Sequence, residues 1–257
     1  MTYESINFDI DGAVARLTLN KPPLNVIDIP MMAEMVAALE SLQDRAGVRV
    51  LVVQAAAGSK AFSAGVDVAD HTADKVQDMI YGFHRIFRLM DDLNIPTVAV
   101  VERAALGGGC ELAIFCDMVV ASERAKFGQP EIKVGVFPPI AAVMLPRLIP
   151  HGPALELLLT GDTIDAAEAY RLGLVNRLVP VEELAAAADE LIGKLAALSG
   201  SVLRHARRAA KLGANGSFQG ALAAVEKFYL EDLMQVHDAH EGLAAFMEKR
   251  APAWRDE

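Results

Sequence analysis

Two patterns of apolar residues divide the chain. Up to about residue 180, short apolar runs alternate with longer amphipathic stretches; beyond it, helical spacing follows helical spacing. Residues 6–20 predict a hairpin, with Asp11-Gly12 as the turn between Phe8-Asp9-Ile10 and Val14-Ala15-Arg16-Leu17-Thr18-Leu19. Lys21-Pro22-Pro23-Leu24-Asn25 is barred from helix and predicts a rigid loop. Asp28 caps a helix predicted to reach about residue 46, with Pro30 tolerated in its first turn. Residues 48–54 are continuously apolar, as in a strand covered on both faces. A loop of small residues over 55–70 and a helix over 72–93, stopped by Pro96, come next. Thr97-Val98-Ala99-Val100-Val101 predicts another buried strand.

The middle of the chain holds Ala104-Ala105-Leu106-Gly107-Gly108-Gly109-Cys110-Glu111-Leu112-Ala113, predicted to open a short helix to Cys116, and then a strand over 118–121. Strand–helix alternation of this kind predicts α/β units with right-handed crossovers. Residues 127–139 are rich in Gly and Pro and predict irregular structure. Apolar segments over 140–149 and 153–160, a helix over 165–172 and a strand over 174–179 follow. Helices are predicted over 182–198, 202–212, 218–235 and 239–249. The expected organisation is an α/β core over 1–180 and a helical region over 181–257.

Composition narrows the classes of function. The 257 residues carry a net charge of −10, which disfavours nucleic acid as a partner. The core is expected to be aliphatic, because aromatic residues make up only 6%. Cys110 and Cys116 share one apolar segment and are expected to be reduced core residues. Met1-Thr2-Tyr3-Glu4 lacks the pattern of a signal peptide, and charges, Pro or Gly interrupt every apolar stretch short of a membrane span. These features imply a cytoplasmic protein without membrane contact.

Three loops hold candidate chemistry, each after a strand: Lys60-Ala61-Phe62-Ser63-Ala64-Gly65-Val66-Asp67, the glycine stretch with Glu111, and Phe127-Gly128-Gln129-Pro130-Glu131. The glycine stretch is either a flexible loop before a buried helix or an anion site. In the second case the helix start would offer free N–H groups to a carbonyl oxygen gaining charge. Glu111 and Glu131 suit acid–base work if their environments push their pKa values apart. Ser63 lacks a nucleophile elbow and an assignable His partner. Asp67, Asp70 and His71 fit no established metal spacing, so no metal site is expected. His84, His205, His237 and His240 are expected at surfaces or interfaces, and the run 204–208 on a solvated helix face.

These loops resemble those of the crotonase superfamily and, within it, the enoyl-CoA hydratases. The likeness extends to Asn20-Lys21-Pro22 with Asn25, Leu159-Thr160-Gly161, Gly173-Leu174-Val175, and Phe246 with Glu248-Lys249-Arg250. It implies a crotonase (ClpP-like) α/β fold of repeated ββα units, with a helical C-terminal region that makes the contacts of a homotrimer or hexamer. It implies a lyase adding water reversibly across the double bond of a 2-enoyl-CoA, with no metal or redox cofactor. By the same resemblance, the N–H groups of Val66 and Gly108 form the oxyanion hole, Glu111 deprotonates water and Glu131 protonates the α-carbon. Lys21, Leu24 and Ala64 are the implied CoA contacts, and Phe246 and Lys249 those to a neighbouring subunit's nucleotide.

One departure bears on substrate. Where hydratases commonly have a glycine-rich run, this chain has Val136-Phe137-Pro138-Pro139-Ile140-Ala141-Ala142-Val143. Together with Asn25-Val26-Ile27-Asp28-Ile29, it is similar to hydratases of cyclohexa-1,5-diene-1-carbonyl-CoA in aromatic degradation. The superfamily resemblance is also compatible with an enoyl-CoA isomerase, and with a non-catalytic CoA- or RNA-binding relative.

Overall fold

The computed structural model describes residues 2–214 and 216–257. Ile6–Asp11 (β1) and Val14–Leu19 (β2) pair antiparallel, and Gly12 takes a left-handed φ of 55° at their turn. The Asp28 side chain accepts from Met31 N–H at 3.1 Å and caps α1 (Ile29–Glu40). This helix stops short of the predicted residue 46. The chain tightens into i→i+3 turns there, which bring Leu42 and Val48 into the core. β3 (Val50–Ala55), α2 (Val76–Leu93) and β4 (Thr97–Val101) follow, and Asn94, left-handed at φ 50°, ends α2 before Pro96.

The glycine stretch splits in two: Ala104–Leu106 is a strand (β5) and Gly108–Phe115 the expected helix (α3). After β6 (Met118–Ser122), the segment predicted to be irregular opens on a short strand, Lys126–Gly128 (β7), and continues as a 3-10 turn over Pro130–Val134. The two apolar segments are helices, α4 (Pro139–Leu148) and α5 (His151–Thr160). β8 (Thr163–Asp165), α6 (Ala166–Leu172) and β9 (Arg177–Val179) complete the α/β part. Then come α7 (Leu184–Ala196), α8 (Gly200–Gly213), α9 (Phe218–Glu231) and α10 (His237–Glu248).

The main sheet has six strands in the order β1-β2-β3-β4-β6-β9, parallel except for the hairpin. A second sheet, β5-β7-β8, stands apart from it. Parallel strands are covered on both faces, as their apolar runs predict. One face packs Leu51, Val53, Ala99 and Val119 against α1, α2 and α3. The other packs Val50, Val52, Val98 and Val120 against Leu184, Ala188 and Ile192 of α7.

The basic run on α8 is a docking face, not the solvated face expected. Arg207 Nε donates to Asp117 at 2.9 Å, and the Arg208 guanidinium lies 5.0 Å from the Phe228 ring centre. Cys110 and Cys116 are buried and unpaired with each other. Among the described residues no helix is long and apolar enough to cross a membrane.

Candidate active site

Main-chain pairing brings the three candidate loops together. Leu106 N–H donates to Ser63 C=O at 3.0 Å and Phe62 N–H to Ala104 C=O at 2.9 Å, so the 60–67 loop lies along β5. β5 pairs in parallel with β7, and Gly107 N–H donates to Gly128 C=O at 2.9 Å. The residues just after β7 include Glu131. Asn25 fixes the start of the 60–67 loop: fully buried, it donates from Nδ2 to the carbonyls of Ala61 and Phe62 at 3.1 and 3.0 Å. Ser63 is a brace of the same kind. Its Oγ donates to Asn25 C=O at 2.7 Å and accepts from Gly65 N–H at 3.1 Å.

Two main-chain N–H groups face the space between these loops. Ile27 N–H donates to Gly65 C=O and Asp67 N–H to Ile27 C=O, each at 2.9 Å. That parallel bridge turns the Val66 N–H away from Ile27. Gly108 is the first residue of α3, where an N–H has no helical acceptor. Among the described residues neither N–H has a hydrogen-bond partner. Gly65, at φ 102°, permits the approach. A Cβ there would stand 3.0 Å from Leu106 O and 3.4 Å from Gly108 N.

The two glutamates meet beside these N–H groups. Glu111, in the first turn of α3, is 2% exposed, and its Oε1 accepts from Ala141 N–H of α4 at 2.8 Å. Burial pushes its carboxyl up to about 8, and the neighbouring charge of Glu131 adds to the rise against the Ala141 hydrogen bond. Glu131 is half-buried in the 3-10 turn, and burial pushes it up to about 7. Its Oε2 is enclosed and has no hydrogen-bond partner.

Val66, Gly108, Glu111 and Glu131 share the lining of one cavity of about 460 Å³. Ala64 also lines it, at the end of the loop held by Leu24, whose carbonyl accepts from Ala64 N–H at 2.9 Å. Lys21 pairs with Asp28 at the surface beside this loop. Phe246, 84% exposed on α10, and Lys249, the left-handed cap of that helix, lie outside the cavity lining. Val136, Phe137, Pro138 and Pro139 form part of the wall, whereas Ile140 packs against the core.

The wall contributed by α2 goes beyond the sequence expectation. Val76, Met79, Ile80, Phe83 and His84 follow one helical stripe and line the cavity. The i, i+4, i+8 spacing of Val76, Ile80 and His84 signals that they share one face of α2, though not what that face meets. His84 thus lines the cavity, a place the expectation of a surface or interface residue did not include. Asp67 and Asp70 serve the local fold. Asp67 caps the turn at Ala69 N–H, and Asp70 Oδ2 accepts from Ile29 N–H at 3.1 Å.

The family model described as enoyl-CoA hydratase/isomerase matches residues 9–257. A probable enoyl-CoA hydratase of Mycobacterium tuberculosis is 38% identical over 258 residues, covering 98% of each chain. The cyclohexa-1,5-dienecarbonyl-CoA hydratase of Thauera aromatica is 39% identical over 248 residues, covering 96% of this chain and 94% of that one. A crystal structure of enoyl-CoA hydratase from Bacillus anthracis is similar at a TM-score of 0.92 with 32% identity, covering 99% of this chain and 100% of that one. With its crotonase fold matched end to end by solved relatives and its sequence matched from residue 9 onward, the chain belongs to the enoyl-CoA hydratase/isomerase family.

Proposed function

We propose that the chain is an enzyme, a 2-enoyl-CoA hydratase. The observation that carries this reading is the placement of Glu111 and Glu131 on one cavity with the unpartnered N–H groups of Val66 and Gly108. The thioester oxygen accepts from both N–H groups. Water held between the glutamates forms a C–O bond at the β-carbon and gives its proton to Glu111. The π electrons move through the α-carbon to the thioester oxygen, and the enolate collapses as Glu131 donates a proton to the α-carbon. Ala141 N–H orients the Glu111 carboxyl toward the water and offsets part of the rise that burial imposes, and the two carboxyls share one proton as a coupled pair. Glu131 Oε2 is enclosed without a partner, and the proton shared by the pair is given to the α-carbon from this carboxyl. Hydration is redox-neutral and the carbonyl is polarised by main-chain donors, so the reading assigns neither metal nor redox cofactor.

CoA is assigned to the surface of Lys21, Leu24 and Ala64. Phe246 and Lys249 are assigned to a neighbouring copy's nucleotide in a homotrimer built on residues 181–257. The exposed apolar side chains of Leu230, Leu243, Phe246 and Met247 support that assembly.

A cyclic dienoyl ester is a second reading, favoured by the wall of Val136, Phe137, Pro138 and Pro139. Turnover of crotonyl-CoA against cyclohexa-1,5-diene-1-carbonyl-CoA tests both. Preference for the cyclic ester selects the second, and turnover of neither ester would sink the hydratase reading in favour of a non-catalytic relative. Glu111→Ala should abolish hydration. Survival of the full rate would point instead to chemistry needing one carboxylate, such as double-bond isomerisation.

A further inference from the structure

The cavity is walled mainly by aliphatic, aromatic and proline side chains, and α2 supplies Val76, Met79, Ile80 and Phe83. His84 stands in the same wall, and its Nε2 is enclosed with no hydrogen-bond partner. The other histidine of the cavity differs: His71 Nδ1 is hydrogen-bonded to Asp67 C=O at 3.0 Å. An enclosed imidazole nitrogen left unpaired is unfavourable, and an entirely apolar acyl chain would leave it so in the complex.

Phe83 abuts the glycine assigned to the thioester carbonyl, its Cζ standing 2.9 Å from where a Gly108 Cβ would be. The His84 ring centre lies 6.3 Å from that of Phe83, in the same wall. Burial and the nearby Arg88 charge hold the imidazole below its ordinary range, so it is neutral near pH 7. A neutral imidazole has one donor and one acceptor nitrogen, and a hydroxyl, which both donates and accepts, pairs with Nε2 in either tautomer.

We propose that His84 determines specificity by hydrogen-bonding a hydroxyl group on the acyl chain, so that the preferred substrate is a hydroxylated 2-enoyl-CoA. The inference rests on the hydratase reading and names the substrate class of that site. His84 touches neither reacting carbon in this scheme and leaves the roles of Glu111 and Glu131 unchanged.

The test compares kcat/KM for hex-2-enoyl-CoA and for its derivatives hydroxylated at each saturated carbon in turn. One hydroxylated ester should exceed the parent by about tenfold or more in the wild type, since a site built to pair a hydroxyl discriminates against its absence. His84→Leu should bring that ratio to about one, and His84→Gln, which keeps a donor and an acceptor, should restore most of it. Ratios within one variant are independent of how much of it folds, and His84→Phe serves where His84→Leu does not fold. Hydration of all esters without hydroxyl preference, a preference that survives His84→Leu, or a stronger preference for a terminal carboxylate would overturn the inference and leave the hydratase reading standing. Hydration of none would overturn both.

Discussion

The Glu131 carboxylate occupies the space that a side chain at Gly107 would need: a Cβ there would stand 2.5 Å from Oε1. Gly107 also holds φ 52° and ψ −129°, a conformation that L side chains avoid. Gly107→Ala therefore displaces the proposed acid and strains the chain together. We expect about 1–3 kcal/mol of lost stability and a fall in hydration of at least about a hundredfold, the lower end for removing a positioned acid. Denaturant unfolding and steady-state kinetics read the two effects separately. Unchanged kinetics would show that Glu131 is not held by this contact.

Replacing either glutamate by glutamine keeps its shape and removes its proton chemistry. Glu111→Gln and Glu131→Gln should each lower kcat by roughly 10²–10⁴. The double variant should fall little below the worse single one, because residues acting on one water work as a unit. Additive losses would separate the two groups into independent roles.

Much of this site is legible along the chain, and the rest is not, for definite reasons. Glu111 and Glu131 stand in short motifs whose glycines mark close approaches, such as Gly107 against Glu131 and Gly109 against Ser63. β5, β7 and β8 have three residues each, too few for a period-two pattern to register. The hydrogen bond from Ala141 to Glu111 joins positions thirty apart, and no local pattern carries it. Arg207 looks like any solvated helix charge until Asp117, ninety residues away, is placed beside it. His84 escapes a sequence reading for a similar reason: its stripe is evident, but the cavity it faces exists only once α2 packs against the loops.

The raised glutamates make rate and stability depend on pH in different ways. Hydration needs one carboxyl ionised and one protonated. The kcat/KM profile should therefore be bell-shaped, with limbs near about 7 and about 8 that belong to the pair. A profile flat between pH 6 and 9, taken as roughly one unit outside those limbs, would contradict the two-glutamate scheme.

Stability follows from proton binding. Both groups ionise near 4.5 when unfolded and higher when folded, so between these values the folded state holds more protons. Stability from this pair is therefore present at low pH and lost as pH rises from about 4.5 to about 8. Glu131→Gln should flatten that decline, as read from denaturation midpoints across the window. An equally steep decline in the variant would place its origin elsewhere.

The two proposed oxyanion donors should respond differently to side-chain change. A Cβ on residue 108 would stand 2.7 Å from Val66 Cγ2 and 2.9 Å from Phe83 Cζ, so the chain carrying this N–H would have to shift. Gly108→Ala should thus cost about 10²–10³ in kcat, as for loss of one donor. The donor proposed at Val66 is its main-chain N–H, whose direction the bridge to Ile27 fixes independently of the side chain. Val66→Ala should stay within about tenfold of wild type, less than one lost donor would cost. It should also restore part of the Gly108→Ala loss in the double variant, because it removes the nearer of the two clashes. The Phe83 contact remains, so the recovery should be incomplete. A Val66→Ala loss as large as that of Gly108→Ala would mean that the valine side chain, and not the chain direction at residue 66, sets the position of the donor.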